Sequence, residues 1–332
     1  MKMETEELQH RKLELRGGEQ ASVSWKRTEG NTKCVFWIPG RNDYFHHPHA
    51  LDMLAEEGFD LYTIDLRRCG RGKPEGFNQL HAHHCANFSE YREEIDLAIE
   101  HAERQGRYEK RVMYGHSTGG LVVSMYIREG KYENLMNGYL FNAPFFAWNV
   151  GGAAKAYINL RTKTQGTSYK SDDLSPLTGG HGGQINTDLM GIWTQYYYES
   201  GKRNPFNLDL TTGWVAGVTD AQKSLKRMKP INKPVCILTS RADRTLSSQA
   251  LLEQVDHVSL FRTEIEVTHA RHDVLLSPFK ETADECLGFM RTWLKNNISS
   301  SAWPAEEAAG PGAGAALDAS PPDDLSQLPP CG

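Results

Sequence analysis

The chain has 332 residues and a formal net charge of −5, from 37 basic and 42 acidic side chains, long enough for one large α/β domain with an insertion. That balance leaves no basic footprint for nucleic acid, and no stretch approaches the roughly 20 apolar residues of a membrane span. Six scattered cysteines with no C-x-x-C pair fit a reduced, cytoplasmic setting better than a disulfide framework.

In chain order, residues 1–20 form a highly charged segment without the apolar run of a signal peptide. Leu13-Glu14-Leu15 and residues 21–26 alternate like half-exposed edge strands. Residues 33–38 are a continuous apolar run ending in Pro39-Gly40, the pattern of a strand buried on both faces. A helix is predicted over 49–57, stopped by Gly58, and a second buried strand over 61–64, ending at Asp65 and a Gly-rich turn. Residues 88–104 read as a long amphipathic helix, with Tyr91, Ile95, Leu97 and Ile99 on or near its buried side. Further strands are predicted over 138–141, 235–239 and 264–268, and a last helix over 278–297. Strands alternating with helices imply a mostly parallel sheet covered on both faces.

Residues 145–234 break that rhythm. The segment is rich in Gly, Asn, Thr and aromatics, including Trp148, Trp193, Tyr196, Tyr197, Tyr198 and Trp214, and reads as a cap inserted between two core strands. Its aromatics either line an acyl slot or fill the cap's own core, and three successive tyrosines cannot all face one way on a helix. The expected organisation is a core of 21–144 and 235–298, with an Ala/Pro/Gly/Ser-rich tail over 299–332 expected to be disordered.

Gly115-His116-Ser117-Thr118-Gly119 matches G-x-S-x-G and lies between a β-prone run, 111–114, and an apolar helical face, 121–127. In that context Ser117 is the expected nucleophile: a strained turn lifts its hydroxyl clear of the sheet, and glycines let strand and helix approach. A serine needs a base, and the base needs an acid to hold its tautomer. In an open parallel sheet both belong at the carboxyl ends of strands. Asp243 follows the strand at 235–239, and His272 follows the one at 264–268. Asp256 and Asp273 are rival acids; Asp256 lies in or after a helix, and the side chain of Asp273 is expected to point away from its neighbour. His257 and His269 are rival bases, His269 at the very end of the strand.

With Ile38-Pro39-Gly40, Asp65 to Gly72, Gly115 to Gly119, Ala242-Asp243-Arg244 and Arg271-His272-Asp273, the chain resembles the α/β-hydrolases of the monoacylglycerol lipase and lysophospholipase-like group, often described by the serine aminopeptidase S33 domain. The resemblance spans about 33–294 and implies the α/β-hydrolase fold. It implies Ser117 as nucleophile, His272 as general base then acid, and Asp243 as orienting carboxylate. It also implies an oxyanion hole from the backbone amides of Arg41 and Thr118. Pro39 stands where many relatives have histidine, which removes a side chain beside the oxyanion loop and leaves the Arg41 amide in place. The implied activity is cleavage of carboxylic esters through an acyl-enzyme, on monoacylglycerol- or lysophospholipid-like substrates. Aminopeptidase, thioesterase or acyltransferase, and slow ligand-sensing readings of the same fold stay open, as do transient contact with a membrane surface and the oligomeric state.

No cofactor or metal is expected. His46-His47-Pro48-His49 and His81-Ala82-His83-His84-Cys85 carry good zinc ligands but lack ligand spacing. The first is expected beside the pocket, the second as a solvated loop. Arg67, Arg68 and Arg71 are read as solvated or as salt-bridge partners rather than as an anion site.

Overall fold

Period-two apolar patterning builds the sheet. The computed structural model describes residues 8–300 apart from 42, 78–80, 150–155, 157–159, 161–210, 244, 278 and 279. Its strands are β1 (Gln9–Glu14), β2 (Gln20–Lys26), β3 (Lys33–Ile38), β4 (Phe59–Asp65), β5 (Lys110–His116), β6 (Gly138–Asn142), β7 (Val235–Ser240) and β8 (Arg262–Val267). They form one sheet ordered β1-β2-β4-β3-β5-β6-β7-β8. β1 and β2 are antiparallel to each other and β2 is antiparallel to β4, while every pairing from β4 to β8 is parallel.

Both faces of the parallel strands β3 to β7 are buried, by different helices, while β8 at the edge is mostly exposed. Cys34, Phe36, Met113, Tyr139, Phe141, Val235 and Ile237 join one core, filled by α2 (Arg92–Gln105), α3 (Thr118–Glu129) and α4 (Thr212–Leu225). Val35, Trp37, Val112, Tyr114, Leu140, Cys236 and Leu238 join the other, under α1 (Pro48–Glu56) and the last helix, Lys280–Leu294. The short α5 (Ser248–Leu252) precedes β8, and the last helix is α6. Each fully buried apolar side chain contributes about 1.5–3 kcal/mol, so the doubly covered strands are where the fold is anchored.

The structure departs from the patterning in three places. Residues 21–26 are not an edge strand: β1 pairs along β2 from Gln9 opposite Trp25 to Glu14 opposite Gln20, and of the two only β1 is exposed. The sheet therefore begins inside the charged 1–20 segment, and Gln9, His10, Arg11, Lys12 and Glu14 of β1 are exposed. Thr212–Leu225, inside the 145–234 segment, buries Val215, Val218 and Leu225 in the core that holds Leu121 and Val122 of α3. The long helix of 88–104 is two pieces, a 3-10 turn (Phe88–Tyr91) capped by Asn87 and then α2. Of the remaining expectations, Trp193, Tyr196, Tyr197, Tyr198 and residues 301–332 lie outside the described residues.

Candidate active site

β5 runs into α3 through Ser117, which stands at φ 50° and ψ −120°. That is a sparsely populated conformation for a residue with a side chain, and it persists because the surroundings over-determine it. The Ser117 amide donates to the Asn142 carbonyl at 3.0 Å, and the Ser117 carbonyl accepts from the amides of Gly120 (3.0 Å) and Phe145 (2.9 Å). The glycines are sterically required: a Cβ on Gly119 would collide with the carbonyl oxygens of Ile38 and Pro39, and one on Gly115 would stand 2.7 Å from Gly119 O. Thr118 opens α3, so its amide is among the first-turn donors that a helix leaves without an intrahelical acceptor.

The loop after β3 runs alongside this elbow. An ideal Cβ on Gly40 would lie 3.2 Å from the Cβ of Ser117 and 3.1 Å from Cδ2 of His116. The Gly40 amide donates to Asp43 Oδ2 at 3.0 Å, which pins the turn carrying Arg41. Arg41 lays its guanidinium 5.2 Å from the ring centre of Trp214. Trp214, Trp148 and Phe145 form one aromatic cluster, with Phe145 and Trp148 edge to face at 4.9 Å.

Asp243 and His272 meet from the ends of β7 and β8. His272 Nδ1 donates to Asp243 Oδ2 at 2.9 Å, and each side chain is 4% exposed. Asp243 Oδ1 accepts the amides of Thr245 (2.7 Å) and Leu246 (3.1 Å). Burial alone would raise this carboxyl, but attraction to His272 and these hydrogen bonds outweigh it and hold it below the usual carboxylate range. The His272 ring lies 4.9 Å from that of His116, the residue before Ser117, so base and elbow are neighbours. With an ionised Asp243 on Nδ1–H, the other ring nitrogen of His272 is the proton acceptor. Of the rivals, Asp256 pairs with Arg262 at the surface and His269 is exposed.

Asp273 does point away from His272, into a second buried network. Its Oδ2 accepts from His47 Nε2 at 2.8 Å, and its Oδ1 accepts from Asn142 Nδ2 (2.7 Å) and the Leu275 amide (3.0 Å). Asn142 Oδ1 accepts the Val274 amide at 3.2 Å, and the Asn142 carbonyl accepts from His116 Nδ1 at 3.1 Å. Sequence reading missed the roles of His47, His116 and Asn142. The only local signal was Asn142 at a strand's carboxyl end.

The remaining clusters are structural. His46 Nδ1 donates to the Tyr44 carbonyl and His49 Nε2 to the Leu275 carbonyl; burial lowers both imidazoles to about 4. The second cluster is not solvated: His83, His84 and Cys85 are buried. His83 Nδ1 meets Cys69 Sγ at 3.2 Å, and His84 Nδ1 meets Thr211 Oγ1 at 2.8 Å, which ties this loop to the start of α4. Among the described residues no group of three His, Cys, Asp or Glu could hold a metal ion. Arg67 is sequestered by Glu94 at 2.7 Å and Glu93 at 2.9 Å, Arg68 pairs with Glu19 and Arg71 with Asp65.

Residues 30–278 match the serine aminopeptidase S33 family. No curated protein sequence matches the chain. Among solved structures, it is similar to a soluble variant of monoglyceride lipase from Saccharomyces cerevisiae, at 18% identity and a TM-score of 0.63 over 88% of this chain and 96% of that one. It is similar to the monoacylglycerol lipase of Paleococcus ferrophilus at 18% identity and a TM-score of 0.60, over 87% and 98%. It is also similar to a thermostable carboxyl esterase from Bacillus coagulans at 10% identity and a TM-score of 0.67, over 87% and 98%. Likeness at such identities speaks to the fold, and the family match covers three-quarters of the chain. The chain therefore belongs to the serine aminopeptidase S33 family of hydrolases and has the α/β-hydrolase fold.

Proposed function

We propose that the chain is a serine hydrolase of carboxylic esters, acting through an acyl-enzyme on monoacylglycerol- or lysophospholipid-like substrates. The observation that carries this reading is the 2.9 Å contact of His272 Nδ1 with an ionised Asp243, beside a strained Ser117 at a helix N-terminus. Ser117 Oγ attacks the acyl carbonyl and passes its proton to His272, whose tautomer Asp243 holds. The amides of Arg41 and Thr118 receive the developing oxyanion, and the imidazolium returns the proton to the leaving alcohol. Water, activated by the same imidazole, releases the acid. The acyl class is supported by the aromatic cluster of Phe145, Trp148 and Trp214, and by relatives in fold that are named as monoglyceride lipases. In this reading the 145–234 segment contributes the cap, and substrate choice rests on it.

No helix among the described residues is long and apolar enough to cross a membrane. Among the described residues five cysteines are buried and free, which supports the cytoplasm as the working compartment.

The test is labelling with a fluorophosphonate probe, with mapping of the modified peptide. Modification at Ser117, lost in Ser117→Ala, is expected, followed by turnover of glyceryl and lysophospholipid esters above that of amino-terminal peptide arylamides. Folded wild-type protein that takes no label would overturn the reading. Preference for the arylamides would move it to peptidase chemistry on the same triad.

A further inference from the structure

The ester reaction uses His272 and Asp243 and leaves Asp273, the next residue, without a task. Yet Asp273 is the more deeply held carboxylate. Its side chain is 2% exposed, and that of His47, which donates to it, is 0% exposed. A carboxylate taken out of water loses several kcal/mol of hydration unless donors replace it. Here three do, from His47, Asn142 and the Leu275 amide. Burial would raise the Asp273 carboxyl, but attraction to His47 and His116 and these hydrogen bonds hold it far below the usual range, so it carries its charge at neutral pH.

A turn cap needs only the Leu275 amide. The other two partners come from distant parts of the chain, and each belongs to a piece of the site. His47 ends the oxyanion loop and stands at the N-cap position of α1. Asn142 ends β6, and its carbonyl receives both the Ser117 amide and His116 Nδ1. Asp273 and Val274 continue directly from the base, and the Val274 amide donates to Asn142 Oδ1. Nucleophile, oxyanion loop and base are thus joined through one asparagine and one carboxylate.

We propose that Asp273, with His47 and Asn142, is a positioning network that sets His272 against Ser117, and that its buried negative charge stabilises the imidazolium formed during acyl transfer. The inference rests on Ser117 and His272 acting as nucleophile and base. His272 meets Asp243 from the loop after β7 and His116 from β5, while Asp273, His47 and Asp43 act on His116 from its surroundings. His116 is buried, which lowers its imidazole against the opposing pull of Asp273. His47 accepts the His46 amide on Nδ1 while Nε2–H donates to Asp273.

The experiment measures the fluorophosphonate labelling rate of Ser117 against pH in the wild type, Asp273→Asn and Asn142→Ala, with near-ultraviolet circular dichroism on each. Asp273→Asn removes the charge and keeps the shape; it is expected to slow labelling roughly tenfold or more. It should also move the acid limb of the profile down by roughly one pH unit, because an imidazole that has lost a nearby anion protonates less readily. Asn142→Ala keeps the charge and cuts the tether, so it is expected to slow labelling with the limb unmoved. Asp273→Asn with wild-type rate and limb would overturn the proposal, as would slow labelling with an unmoved limb, which a purely structural carboxylate would give. If Asp273→Asn does not fold, a folded Asn142→Ala that labels at the wild-type rate overturns it instead. A wild type that takes no label overturns the serine-hydrolase reading itself, and this proposal with it.

Discussion

Asp243 and Asp273 are two buried carboxylates, one bonded to His272 and one next to it in the chain, and they are held in opposite ways. Asp243 fastens itself locally: apart from bonding His272, it accepts the amides of Thr245 and Leu246 in its own loop. Asp273 is fastened across the fold, by His47 from 226 positions earlier and by Asn142 from 131 positions earlier. A locally held acid can be lost with little effect on the rest of the molecule. An acid that ties β6, the oxyanion loop and the base loop together cannot. The contrast sets an acid in direct contact with His272 against one tied into the frame.

Activity should separate the two most sharply. Asp243→Asn leaves the shape intact but removes the acceptor that selects the His272 tautomer, so labelling of Ser117 should fall on the order of a thousand- to ten-thousandfold. Stability should rank them the other way. Asp273→Ala strands the His47 and Asn142 donors in the interior and should cost about 3–5 kcal/mol in urea denaturation. Asp243→Ala should cost less, because it releases partners in its own loop rather than a tie between distant elements; equal losses would break the contrast.

Acidification tests it without mutation. His46 and His49, packed around the deep pair, and His84 and His101 elsewhere, have imidazoles lowered by burial to about 4 from an unfolded value of 6.5. Between those values the unfolded chain binds more protons than the folded one, so stability present above pH 6.5 is lost as pH falls toward about 4. The two aspartates lie below their ordinary value and add a further loss only at more acid pH, where Asp243 should be neutralised before Asp273. Urea midpoints recorded every half unit should decline through the histidine window, and a flat profile there would contradict the burial of these rings. The smallest effect belongs to His269→Ala, three residues before the base. As an exposed side chain it should change stability by less than about 0.5 kcal/mol and leave labelling unchanged. A large loss of labelling would reopen the choice of base.

Much of the first carboxylate's setting was legible beforehand, and little of the second's. Asp243 and His272 follow apolar runs that read as strands, and a parallel sheet brings the carboxyl ends of its strands to one edge. The elbow carried its own sterics in Gly115 and Gly119. Asp273 was legible only as a side chain pointing elsewhere, because its partners are remote and no spacing rule links them. The loop at 81–85 misled for the same reason: polar composition suggested solvent, while contacts with Cys69 and Thr211 bury it. Residues 21–26 alternate like an edge strand, and a charged neighbour, β1, covers that edge.

By itself, then, the sequence determined the strands, the strained turn at Ser117 and the places of Asp243 and His272 after strand ends, since each follows from local periodicity and steric need. Only the tertiary structure decided that the loop at 81–85 is buried, that α4 is a layer of the core, and that Asp273 reaches His47 and Asn142. Hydrogen bonds between elements depend on which strand lies beside which, and that order is a property of the packed sheet rather than of any window along the chain.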